Sequence, residues 1–248
     1  MSVWDSYAAR LHGADNDRNR ILAHEKSVIS RKLPYSLSYH TAVIDGEERQ
    51  LAIINSDNLD IKTLCSLPGE DIRHGSLVEW MDQRWLVIEK DANNEVYTRA
   101  KMQQCNYLLR WINSDGEIIE RWSIVNDGTK YLTGVFGDKY YFMERGDARI
   151  QVILPLDSET AKLNRTSRFL VDYYGSENVL AYRLTKPLKV GNSYGDNGIF
   201  SFVMAECNTE DDDNFELHIA NYYKYFPRPD DYSTDIPEPE SGERKVWL

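Results

Sequence analysis

Over residues 35–43 the side chains Tyr35, Leu37, Tyr39, Thr41 and Val43 fall on every second position, and this period of two recurs along most of the chain. Alternation places successive side chains on opposite faces of an extended backbone, so it specifies half-buried strands. Asp45-Gly46 supplies a hairpin turn and residues 50–54 the returning strand. Segments 76–80 and 84–89 flank Met81-Asp82-Gln83 as a second hairpin, with Trp80 and Trp85 near its tip. Strands over 96–104, 107–112 and 118–125 continue the meander. A further series is expected at 130–135, 139–143, 149–154, 169–174, 180–188, 199–206 and 215–220. The stretch 55–70, with Pro68-Gly69, reads as a loop. Residues 158–163 read as one short helix capped by Asp157 or Ser158.

Both ends break the pattern. Trp4, Tyr7, Ala8 and Leu11 have the spacing of one helical stripe, and Gly13 interrupts it. Asp15 or Asp17 then caps a second helix running to about Ser30, which Pro34 closes. At the other end Pro227, Pro229, Pro237 and Pro239 lie among Asp230, Asp231, Asp235, Glu238 and Glu240, ahead of Val246-Trp247-Leu248. This composition gives an extended, stiffened tail, read either as a frayed terminus or as a strap docking on a neighbouring subunit. The expected fold is therefore mainly β: two small barrel- or sandwich-like halves, a short helical N-terminal segment and an extended tail. The divisions fall at 1–34, 35–126, 127–226 and 227–248, with the boundary between the halves near 125–129.

Composition narrows the function. Sixteen Tyr and six Trp suit strands and broad contact surfaces. A net charge of −11 opposes coating of DNA or RNA, which needs Lys and Arg to displace phosphate counterions. The three cysteines, Cys65, Cys105 and Cys207, form no CxxC pair and read as buried thiols in a reducing compartment. No apolar run reaches membrane-spanning length, and the start reads as lacking a secretory leader, so no membrane role is expected and the Asn164-Arg165-Thr166 sequon carries no weight.

Each motif that resembles chemistry has a plainer account. Gly191-Asn192-Ser193-Tyr194-Gly195 spells GxSxG, but a nucleophile elbow needs a strand before it and a helix after it. Here Asp196-Asn197-Gly198 and another strand follow, so a hairpin loop is expected. His12, His24, His40, His74 and His218 lack paired ligand spacing. Asp91–Glu95 and the run 210–213 are acidic but lack the Gly and Glu of a calcium loop, and read as solvated turns. No P-loop or dinucleotide fingerprint is present. The expectation is a non-enzyme with no catalytic, cofactor-binding or metal residues and no cofactor.

The stretch 74–112 contains Trp85-Leu86-Val87 before an acidic residue, then Cys105-Asn106-x-x-Leu109-x-Trp111. A second stretch carries Arg168-Phe169-Leu170-Val171-Asp172, then Ala181-Tyr182-Arg183-Leu184-Thr185-Lys186 and residues 213–223. In these the chain resembles tailed-bacteriophage head-closure (stopper) and head–tail connector proteins of the neck, over about two thirds of its length. It is longer than the one-barrel stopper. The resemblance implies a structural virion protein made in the bacterial host cytoplasm. It would form a homo-oligomeric ring joining the portal or an adaptor protein to tail proteins and helping close the channel, in passive contact with packaged DNA. Candidate interface residues are Trp4, Tyr7, Leu11, Trp80, Trp85 and Trp247. Other classes remain open at this point: a tail terminator, tube or baseplate component, or a β-sandwich ligand-binding module using Tyr222, Tyr223 and Tyr225.

Overall fold

The structure, a computed structural model, describes residues 17–127, 149–172, 179–188, 193–194 and 197–228, together with Trp4. A helix, α1 (Asp17–Lys32), leads into a 3-10 turn at Leu33–Tyr35. Six strands follow: β1 (Tyr39–Ile44), β2 (Glu47–Asn55), β3 (Ile61–Cys65), β4 (Leu77–Trp80), β5 (Gln83–Lys90) and β6 (Arg99–Gln104). They close into a barrel in the order β1-β2-β3-β6-β5-β4, every neighbouring pair antiparallel. Asp45 fastens the closure. Its backbone N–H donates to the Leu77 carbonyl at 2.9 Å, and its carboxylate accepts from Ser76 Oγ at 2.7 Å and from the Leu77 N–H at 2.9 Å. Asp45 and Gly46 both have positive φ, 52° and 86°, as a two-residue turn between twisted strands requires.

The second sheet uses β7 (Tyr107–Ile112), β8 (Ile118–Asp127), β9 (Arg149–Pro155), β10 (Arg168–Asp172), β11 (Val179–Leu188), β12 (Ser193–Tyr194) and β13 (Asn197–Cys207). Its order is β10-β11-β13-β9-β8-β7, with β12 paired to β13. It rolls into a barrel-like shape that brings its outer strands together. The Tyr107 hydroxyl donates to the Leu170 carbonyl at 3.4 Å, and the Trp111 and Phe169 rings meet edge to face at 6.1 Å. Inside lie Trp111, Phe169, Phe200, Phe202 and Met204, all buried.

The mainly β architecture with two barrel-like halves is as the alternation implies, but the change of sheet comes earlier than 125–129. The first barrel ends at Gln104, and β7 and β8, placed by sequence in the first half, belong to the second sheet. The linker is short and held at both sides: Cys105 N–H donates to the Arg84 carbonyl of β5 at 2.8 Å, and Asn106 N–H to the Ser123 carbonyl of β8 at 3.0 Å. The Asn106 amide brackets Val125, donating to its carbonyl at 2.7 Å and accepting from its N–H at 2.8 Å.

Between the sheets Leu86, Cys105, Ile124 and Ile199 form a common apolar junction. This is why Trp85, Leu86 and Val87 are all buried: Trp85 and Val87 face into the first barrel, and Leu86 faces the second sheet. Burial pushes the Cys105 thiol up to about 12, so it stays protonated and unreactive.

Other elements differ from expectation for local reasons. The stretch 55–70 contains β3, whose five residues are broken by Lys62 and so lack a clear alternation. Strand β1 starts at Tyr39, because Pro34 sits in the 3-10 turn and Tyr35 belongs to it. Residues 158–163 shrink to a 3-10 turn at Thr160–Lys162, whose N-cap is Glu159; Asp157, ahead of it, accepts from the Thr160 N–H at 2.7 Å. The expected strand 215–220 is a turn with one bridge, Asn214 to Ile219, since His218 takes a left-handed φ of 55°. The expected strands 130–135 and 139–143, the first helix beyond Trp4, and the tail after Arg228 lie outside the described residues.

Gly75 is a point of close approach between the two halves: a Cβ there would sit 1.8 Å from the Gly198 carbonyl oxygen, and its φ is +85°. Gly69 has φ +93° with nothing near its Cβ position. Gly75→Ala is therefore expected to lower stability by more than the ~1–3 kcal/mol of backbone strain alone, and by more than Gly69→Ala, in urea unfolding.

His74 is buried and donates from Nε2 to the Ile88 carbonyl at 2.7 Å; burial holds its pKa below the ordinary 6.5. As pH falls through the unfolded value the unfolded chain takes the proton first, so stability falls below about pH 6.5. No such loss occurs above it. His74→Gln is expected to flatten this part of the stability–pH curve, read as the unfolding midpoint between pH 7.5 and 5.

Candidate functional site

The described residues carry two kinds of candidate surface: the aromatic positions singled out by sequence, and a cation-lined end of the second sheet that sequence did not reveal. Trp4 is helical and 77% exposed. Trp80 is half-buried, tilted against His40 at 5.4 Å and Trp85 at 6.1 Å. Trp85 is 2% exposed and belongs to the core, so it is corrected from interface residue to packing residue; its parity on β5 points it inward. Tyr7, Leu11 and Trp247 lie outside the described residues.

Helix α1 buries none of its side chains fully; on one side of it Leu22, Val28 and Ile29 are half-buried and Ile21 is exposed. Ile21 is 58% exposed, and the following turn leaves Tyr35 and Leu37 almost wholly so. Arg18 ties the helix to the barrel through Glu95 at 2.6 Å, an exposed pair. Ile21, Tyr35 and Leu37 are thus large apolar side chains that this end of the first barrel leaves in solvent.

The other site is built by the segment after β13. Residues 208–226 turn back across the outer face of β10 and β11, where Ala220 packs with Leu170 and Ala181. Asp213, fully buried, is the hub. It accepts from Arg168 Nη1 at 3.1 Å and Nη2 at 2.9 Å, from the Glu210 N–H at 2.8 Å and from the Asn221 N–H at 2.9 Å. Arg168 also donates to the Asn208 carbonyl at 2.9 Å and Asn221 Oδ1 at 3.1 Å. Burial opposes its charge, but the hydrogen bonds with Asp213 outweigh this and hold its pKa above the ordinary value. The acidic run 210–213 is thus a clamp. At Asp91–Glu95 the carboxamide and carboxylate oxygens of Asn94 and Asp91 close local turns onto backbone N–H groups.

Beside the clamp lies a hollow of about 420 Å3 between the β7–β8 turn, the loop before β10 and residues 220–225, with Trp111, Asn113 and Lys162 in its wall. A second hollow of about 330 Å3 adjoins it, sharing Thr166, Arg168, Asn221 and Lys224. Among the described residues no group of His, Cys, Asp or Glu is arranged to hold a metal ion. The Ser193 backbone is a hairpin strand, paired Ser193 to Gly198 and Tyr194 to Asn197, and not a strand-to-helix elbow. No helix among them is long and apolar enough to cross a membrane.

Comparison with known proteins bears on the first barrel. Residues 7–104 match the family model of the YomX N-terminal domain, a phage-derived family. The match covers less than half of the chain and ends at Gln104, the last residue of β6. No curated protein and no solved structure matches the chain. The similarity associates the protein with phages and leaves the second sheet without a counterpart.

The buried pair makes a sharp prediction. Removing one partner strands the other, so Arg168→Met is expected to cost about 3–5 kcal/mol. Lys162→Ala breaks only the exposed pair with Glu159 and is expected to cost under ~1 kcal/mol. Urea unfolding of the two variants checks the contrast.

Proposed function

We propose that this protein is a structural component of a tailed-phage particle, forming a homo-oligomeric ring at the neck that joins the portal or an adaptor to the tail and helps close the DNA channel. One observation carries the reading. The region similar to a phage-derived domain family includes a helix, α1, with no fully buried side chain and exposed Ile21, followed by exposed Tyr35 and Leu37. Such a helix gains its stability from packing, and a neighbouring subunit in a ring provides it. Repeated heterologous contacts of this kind close into rings when the rotation allows.

Acidity suits the same role. A ring of subunits each bearing −11 presents little attraction to packaged DNA, which passes without adhering. The rigid pairing of two barrels sets the spacing between the surfaces on either side of such a ring.

The reading predicts concentration-dependent assembly of the purified chain, alone or with portal and adaptor rings, without turnover of any substrate. Light scattering coupled to gel filtration and electron microscopy of the mixtures check it. A chain that stays monomeric beside these partners under all conditions overturns it. Labelling that puts the protein on the tail tube or baseplate moves it to another structural position.

A further inference from the structure

We propose that the cation-lined hollow beside the Arg168–Asp213 clamp is the docking notch for the acidic segment 230–240 of a second copy of the chain. The proposal rests on the assembly reading above and gives it a particular interface. Arg165, Arg168, Arg183 and Lys224 line the notch with Thr166, Asn221 and one carboxylate, Glu210; Asp213 already pairs with Arg168, and Asp212 lies 3.8 Å from Lys224. Set against Glu210, Asp212 and Asp213, these four cations leave a surplus of one positive charge, on a chain whose net charge is −11. Glu210 demonstrates what the notch holds: its carboxylate lies 3.1 Å from Arg168, 3.7 Å from Lys224 and 4.0 Å from Arg183. The latter two side chains remain about half exposed, at 50% and 53%. Arg165, exposed on the same rim, has no hydrogen bond or ion pair among the described residues. The spare cationic capacity of the notch is therefore at Arg165 and Arg183, whose planar guanidinium groups fit a further carboxylate.

The occupant follows from charge and reach. The described fold ends beside the notch, where the Arg228 guanidinium lies 4.9 Å over the Tyr223 ring and donates to the Asp211 carbonyl. Residues 229–248 carry six carboxylates, five of them in the segment 230–240, against only Arg244 and Lys245. Extended at ~3.1 Å per residue, the segment 230–240 would lie between roughly 6 and roughly 37 Å of chain beyond Arg228, and its distal carboxylates have the reach to meet an adjoining subunit.

Two full-length variants test this. One reverses the notch, Arg165→Glu with Arg183→Glu and Lys224→Glu, leaving buried Arg168 in place; the other reverses the tail, Asp230→Lys with Asp231→Lys and Asp235→Lys. Circular dichroism confirms that each is folded. Each alone is expected to lose self-association at least tenfold by sedimentation. An equimolar mixture is expected to recover it, because the acidic notch of one then receives the basic tail of the other. A synthetic peptide of residues 229–243 is expected to dissociate wild-type assemblies, and this measurement stands if the notch variant does not fold. Wild-type assembly that is indifferent to both reversals and to excess peptide overturns the notch and leaves the ring reading intact. Rescue by combining both reversals in one chain, without rescue by mixing, overturns it in favour of a contact within the chain. A wild-type chain that is monomeric at every concentration overturns both.

Discussion

The apolar junction of Leu86, Cys105, Ile124 and Ile199 makes this one body out of two barrels. Each sheet on its own leaves an outward face of large aliphatic side chains, and the two faces are buried only against each other. Everything near the junction is arranged to permit that approach. Gly75 and Gly198 omit side chains where the backbones meet, and Cys105 and Asn106 cross between the sheets with both N–H groups bonded. The contact also explains a sequence pattern. Cys105 packs in the junction, Asn106 brackets Val125, and Leu109 and Trp111 enter the second core, so the Cys-Asn-x-x-Leu-x-Trp run is the structural signature of the crossing.

Much of the strand content was legible because period-two patterning and positive-φ turns are local. Asp45-Gly46 and the Met81-Asp82 turn appear where the sequence puts them, and β7 and β13 lie within a residue or two of expectation. What stayed hidden depends on contacts distant in sequence. Trp85 reads as a surface aromatic near a hairpin tip until the barrel closes around it. The division between the sheets was misplaced because a two-residue crossing looks like any other break between strands. For the clamp, Arg168 and Asp213 are 45 residues apart, and neither belongs to a recognisable motif. One signal was available: Phe169, Leu170 and Val171 are apolar on both parities, which implies that something covers the outward face of β10.

That cover is the segment 208–226, and its chemistry differs from that of the barrels. The cores are held by area removed from water, whereas the segment is held by a buried ion pair whose hydrogen bonds are all directional. Residues His218 and Asn221 adopt left-handed backbone so that Asn221 can meet both Asp213 and Arg168. The acidic run is thus structural at Asp213 and chemically available at its solvent side, where Glu210 and Lys224 face the adjoining hollow.

The junction has a mechanical meaning as well. Parting two barrels joined in this way would expose Leu86, Cys105, Ile124 and Ile199 to water and break the hydrogen bonds of Cys105 and Asn106 at the same time.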